Sequence, residues 1–97
     1  DSTAKGAQVF YYSESKEGKK LAEVLQKSLI ENADPENHRM AKANTSYYIL
    51  KNTSAPTVIV ECGFLSNPEE ERLLNTAQYQ EKLVDALQKG ICEYLEN

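Results

Sequence analysis

Histidine is almost missing from this 97-residue sequence: His38 is the only one, in the polar run Asp34-Pro35-Glu36-Asn37-His38-Arg39. A structural metal site needs three or four His/Cys ligands at recognisable spacing, so this chain cannot assemble one alone. Cysteine is scarce too. Cys62 and Cys92 lie thirty positions apart with no C-x-x-C pair. The spacing favours two buried apolar thiols, with a disulfide as the alternative. Long apolar runs are absent: the longest is four residues, where a membrane span needs about 20. Basic residues are outnumbered, 11 Lys and Arg against 15 Asp and Glu, for a formal charge of -4. That balance argues against nonspecific nucleic-acid binding, which needs a basic face to release counterions. Polysaccharide and peptide substrates stay open. No signal peptide is visible, since the chain opens on polar DSTAKGAQ; a mature or truncated product would open the same way.

What is present is a soluble, globular composition, 40% hydrophobic and 27% charged, with room for one small domain. The segment AQVFYYS is rich in β-branched and aromatic residues and predicts a strand. From about Ser15 to Asn32 the period turns helical, with Leu21, Val24, Leu25 and Leu29 on one face, Ser13 or Ser15 as cap and Asp34-Pro35 as stop. ENHRMAKANTS reads as an exposed loop, Tyr47-Tyr48-Ile49-Leu50 as a short strand or extended segment, and Asn52 to Pro56 as a turn. TVIVE, residues 57–61, is the clearest strand, and its unbroken apolar run suits a strand covered on both faces. Asn67-Pro68-Glu69-Glu70 predicts a helix start, with Asn at the N-cap, Pro at N1 and Glu at N3. A last helix from about Thr76 carries Tyr79, Leu83, Val84, Leu87, Ile91, Tyr94 and Leu95 as its apolar stripe. The order β-α-β-β-α-α, with no repeat or low-complexity tract, implies an α/β three-layer sandwich with a mostly parallel sheet flanked by helices. Three strands make a poor sheet alone. The expectation is therefore that only the C-terminal portion of a larger α/β domain is present, with TVIVE inside the full sheet.

The segment VIVECGFLSN, residues 58–67, sets a carboxylate at the end of the apolar strand, followed by Cys62 and Gly63. Functional groups gather at the carboxyl ends of strands in open α/β sheets, and Gly63 permits a sharp or left-handed turn. Partial burial would raise the pKa of Glu61, and a nearby cation would hold it ionised; either suits general acid/base work. The bland alternative is a strand-end Glu that reaches solvent or pairs with a Lys.

The run PTVIVECGFLSNPEEERLL resembles the signature of the zinc-dependent N-acetylmuramoyl-L-alanine amidases, the amidase-3 family of bacterial cell-wall hydrolases. GAQVFYYS, the helix KKLAEVLQKSL, and HRMAKANTSYYILKNTSAP are similar to further family segments in the same order. The last brings Arg39, Lys42, Tyr48, Leu50 and Pro56 into register, and SYYILK leans towards the germination-specific, spore-cortex members. The resemblance implies a zinc-activated water attacking the amide between the muramic acid lactyl group and L-alanine. Glu61 would serve as the proton-transfer residue, and Gly63 as a backbone position that leaves room for substrate. It also implies that the three zinc ligands lie upstream of GAQVFYYS, outside this sequence. Residues 1–97 are then the C-terminal part of the catalytic domain. They would bind no zinc alone, would be inactive alone, and would either pair with a missing N-terminal half or self-associate. Extracytoplasmic action, at the cell wall or spore cortex, follows from the same resemblance.

The rival reading is a metal-free cell-wall-binding or regulatory module of the same fold; retention of Glu61 favours the enzyme. Arg39 offers a planar fork suited to a substrate carboxylate, against a solvated loop Arg. Tyr47 and Tyr48 read as core and rim packing, with stacking on sugar as the alternative. Glu69-Glu70-Glu71 reads as a response to the positive end of its helix. Cys62 is not expected to be a nucleophile, because no second His exists to activate it.

Overall fold

The computed structural model describes residues 3–96. Strand β1 (Gln8–Tyr12) leads into helix α1 (Lys16–Asn32), then β2 (Lys42–Asn44), a single helical turn α2 (Tyr48–Lys51), β3 (Val58–Glu61), α3 (Pro68–Leu74) and α4 (Ala77–Glu96). The α/β class, both long helices and strands β1 and β3 follow the patterning. Ser15 is the N-cap that the sequence left open against Ser13, its Oγ accepting from the Gly18 amide at 2.9 Å.

Two segments depart from expectation. Tyr47-Tyr48-Ile49-Leu50 is not a strand. The Asn44 side chain accepts from the Ser46 and Tyr47 amides, at 2.8 and 2.9 Å, and turns the chain into α2. Only Leu50 is then buried, with Tyr48 and Ile49 exposed, which is a helical rather than an alternating pattern. Part of the expected loop ENHRMAKANTS is strand β2. Its residues have little β-propensity, and the pairing is imposed by β1, with Phe10 opposite Lys42 and Tyr12 opposite Asn44.

The sheet has the order β2-β1-β3. β1 pairs with β2 in parallel and with β3 in antiparallel, so among the described strands the sheet is mixed rather than mostly parallel. Among the described strands β1 takes the centre. β3 has one strand neighbour here and is half-buried rather than covered on both faces.

Alternation sends Val9 and Tyr11 of β1 with Ala7 just before it, and Val58 and Val60 of β3 with Cys62 just after it, towards one face. There they meet Ala22, Leu25 and Leu29 of α1 and Tyr79, Leu83 and Ala86 of α4. The two helices run antiparallel: Ser28 Oγ donates to the Ala86 carbonyl, and Tyr94 Oη donates to Glu17 at the far end. Gly90 lets them close in, since a Cβ there would stand 2.7 Å from Leu25 Cδ2. The expected stripe of α4 is only partly used. Tyr79 and Leu83 are buried, while Val84, Ile91 and Leu95 are exposed and Ala86 and Gly90 take the inner positions.

A helix side chain also completes the strand backbone. Buried Gln26 donates to the Ala7 carbonyl at 3.0 Å and accepts from the Val9 amide at 2.9 Å. The described residues thus build the sheet and one helical layer. The other face carries Gln8, Phe10, Tyr12, Ile59 and Glu61, and meets little more than α2 and the edge-on ring of Tyr47 against Phe10.

Candidate active site

Glu61 ends β3, opposite Gln8 in the antiparallel register. It lies on the face that α1 and α4 leave open, and it is exposed. Among the described residues no hydrogen bond or ion pair engages its side chain. These residues do not bury it. Cys62 alternates to the opposite, helix-covered face, where burial pushes its thiol pKa up. Cys62 is half-buried rather than fully buried, and a sheltered, protonated thiol is a poor nucleophile. Both cysteines are free, and Cys92 is exposed rather than buried.

The loop after Glu61 is held by a residue that sequence reasoning assigned to helix-dipole compensation. Asn67 caps α3 as expected, accepting from the Glu69 and Glu70 amides at 3.0 and 3.3 Å. The capping turn splits the acidic run three ways. Glu69 pairs on the surface with Arg72 at 2.6 Å, and the hydrogen bond and charge of Arg72 lower its pKa. Glu71 is exposed. Glu70 turns inward and is buried, its Oε1 accepting from Gly6 N–H at 2.8 Å and from Phe64 N–H at 3.1 Å.

Gly63 faces this carboxylate. A Cβ there would stand 3.1 Å from both Glu70 Oε1 and Leu74 Cδ1. The space that Gly63 leaves is thus taken by the protein's own side chains rather than by substrate, and its backbone is not left-handed. The positive φ belongs to Gly6, at 98°, packed against Asn37. The sequence clue to Glu70 is its N3 position after Asn67-Pro68; of its two partners Phe64 is six residues away, while Gly6 is 64 residues away and leaves no local signal.

Arg39 is partly buried and committed on two sides. Its Nε donates to the Lys5 carbonyl at 2.9 Å, and its guanidinium lies 4.6 Å from the Phe64 ring centroid. The stack places a cation over an aromatic face within cation–π range, three residues beyond Glu61. His38 is exposed in the neighbouring loop, beside a shallow cavity shared with Lys5, Glu36 and Arg39. A larger cavity of about 490 Å³, lined by Tyr12, Ser15, Lys51, Pro56 and Thr57 among others, lies away from Glu61. Tyr11 pairs with Val58, whereas Glu61 pairs with Gln8, so this cavity is at the opposite end of the sheet.

A hydrolytic zinc site needs three protein ligands. Among the described residues no group of three or more His, Cys, Asp or Glu gathers to hold a metal. These residues do not fit a zinc site by themselves, and no catalytic step is assigned through a metal in this chain.

The α/β sheet is thus layered on one face by two long helices, and a strand-end carboxylate stands free on the other. The chain belongs to the N-acetylmuramoyl-L-alanine amidase family, whose model matches residues 1–93. It is 39% identical over 89 residues to the germination-specific N-acetylmuramoyl-L-alanine amidase of Bacillus subtilis strain 168, covering 92% of this chain and 37% of that protein. Its fold matches the CwlD amidase from Clostridioides difficile, solved in complex with the GerS lipoprotein, with a TM-score of 0.96 and 40% identity over 99% of this chain and 49% of that one. An N-acetylmuramoyl-L-alanine amidase from Clostridium difficile 630 matches with a TM-score of 0.92 at 26% identity, over 100% of this chain and 52% of that one. The chain therefore spans about half the length of these solved amidases and 37% of the curated relative.

Proposed function

We propose that residues 1–97 are the C-terminal part of the catalytic domain of a peptidoglycan amidase, one that cleaves the amide between N-acetylmuramic acid and L-alanine. The supporting observation is the placement of Glu61, which ends β3 within the family-matching VIVECGFLSN segment and faces the open side of the sheet. In this role Glu61 takes a proton from the attacking water and returns it to the leaving amine, so that the L-alanyl peptide departs neutral. A zinc ion, which the family resemblance implies, would be held in the complete enzyme by ligands outside these residues and would supply an activated water there. The isolated chain is then inactive.

Similarity to the germination-specific amidase of Bacillus subtilis supports a spore-cortex substrate and extracytoplasmic action. No helix among the described residues is long and apolar enough to cross a membrane. The relative solved with a lipoprotein makes a protein partner part of the proposal. Arg39 is a supporting residue rather than a free substrate anchor, since Lys5 and Phe64 already engage it.

Glu61→Gln in the complete enzyme tests the reading. It is expected to leave folding and metal content unchanged and to lower turnover by roughly 10²-fold or more, the usual worth of general acid/base catalysis. Release of L-alanyl peptides from muramic acid at near wild-type rate would remove Glu61 from the mechanism.

A further inference from the structure

Glu70 is 6% exposed, although it stands in an acidic run at a helix N-terminus where Glu69 and Glu71 remain at the surface. Attraction to the helix end is satisfied by a solvated acid. Burying an ionised carboxylate is costly unless hydrogen bonds replace its water. Here they do so by joining two distant segments: Oε1 accepts from the Gly6 amide at 2.8 Å, just before β1, and from the Phe64 amide at 3.1 Å, just after β3. Asn67 repeats the link from the same turn. Its Oδ1 caps α3 and its Nδ2 donates to the Ala4 carbonyl at 3.2 Å.

Between these ties lies Glu61. Its strand end is fixed on one side by the pairing of Gln8 with Glu61 and on the other by the clamp on Phe64. Its own side chain has no partner among the described residues, so among these residues only the backbone limits where the carboxylate can reach. We propose that Glu70 is a positioning residue for Glu61. It staples the backbone after β3 to the segment entering β1, and so fixes the Glu61 carboxylate relative to whatever that entering segment brings to the reaction. The proposal rests on Glu61 being the proton carrier. The absence of a side chain at Gly63 belongs to the same device, because a Cβ there would press on Oε1 at 3.1 Å.

The test is a double-mutant cycle in the complete enzyme, with muropeptide turnover, KM and thermal melting measured for Glu70→Ala, Glu61→Gln and the pair. Misplacing a reacting group by about 1 Å costs about 10²-fold. Glu70→Ala is therefore expected to lower kcat by roughly 10- to 100-fold, with KM changed less than about threefold. In the Glu61→Gln background the same change should cost less than about threefold, because residues that act as a unit are not additive. Glu70→Gln, which keeps an acceptor oxygen on the same skeleton, should recover most of the loss. If Glu70→Ala does not fold, Gly63→Ala disturbs the same oxygen from the other side and must show the same non-additivity. An equal loss in both backgrounds, or a loss confined to KM, overturns the positioning role and leaves Glu61 in place. Near wild-type turnover of Glu61→Gln alone overturns both readings.

Discussion

Cys62 and Glu61 are neighbours in sequence and opposites in setting, because alternation along β3 turns one into the core and the other to the open face. Burial pushes the Cys62 thiol pKa up. The neutral form is favoured, so the reactive thiolate is scarcer near neutral pH than for an exposed thiol and becomes abundant only in more alkaline solution. Cys92, exposed on α4, has no such shelter. Iodoacetamide at neutral pH is expected to alkylate exposed Cys92 faster than half-buried Cys62, with peptide mapping giving the two rates. Equal rates would show that the strand end is open to solvent on both faces. Glu61 was legible as a candidate because a carboxylate closing an apolar run is a local anomaly. Glu70 was not legible as a clamp, because Gly6 and Phe64 come to it only through the fold.

Helix packing turns on one residue that lacks a side chain. Gly90 sits in the middle of α4, where glycine costs about 1 kcal/mol relative to alanine, so propensity alone says that Gly90→Ala stabilises. Packing says the reverse. The new Cβ would stand 2.7 Å from Leu25 Cδ2 and 3.3 Å from Leu25 Cα, and a backbone atom cannot rotate away. Overpacking of this kind costs typically about 1–3 kcal/mol, which outweighs the gain. Gly90→Ala is expected to lower stability by about 1 kcal/mol net, or several degrees in Tm for a domain of this size. A thermal or urea melt decides it, and a rise in stability would mean that Leu25 swings aside and the helices need not touch here. The same scale explains the misassigned elements. Lys42–Asn44 became a strand because β1 offered a free parallel edge, and Tyr48–Lys51 a helical turn because Asn44 redirected the chain.

The molecule as a whole is covered on one side. α1 and α4 seal the inner face, while Phe10, Tyr12 and Ile59 on the other remain half-buried and Val84, Ile91 and Leu95 project from the outer side of α4. β3 offers an edge with a single partner among the described strands. Open edges and uncovered apolar surface favour association. The isolated 97-residue chain is accordingly expected to self-associate or to be marginally stable, unless another part of the domain covers these surfaces. Analytical ultracentrifugation joined to thermal melting measures both properties. A monomer melting cooperatively above about 60 °C, near the upper end for mesophilic domains, would show that these residues form a self-sufficient fold.

The sequence by itself determined the features that depend on near neighbours. These are the two long amphipathic helices, the Asn67 cap of α3, the strands around Val9 and Val60, the family signature, and Glu61 at a strand end. Each rests on periodicity, capping chemistry or a contiguous motif, all of them short-range. Only the tertiary structure decided which strand took the centre of the sheet, that β1 and β3 run antiparallel, and that half of the α4 stripe faces outward. It alone decided, too, that Glu70 rather than any neighbouring acid is buried between Gly6 and Phe64. Those outcomes depend on which surfaces meet after the chain has closed long loops, and no spacing within a dozen residues carries that information.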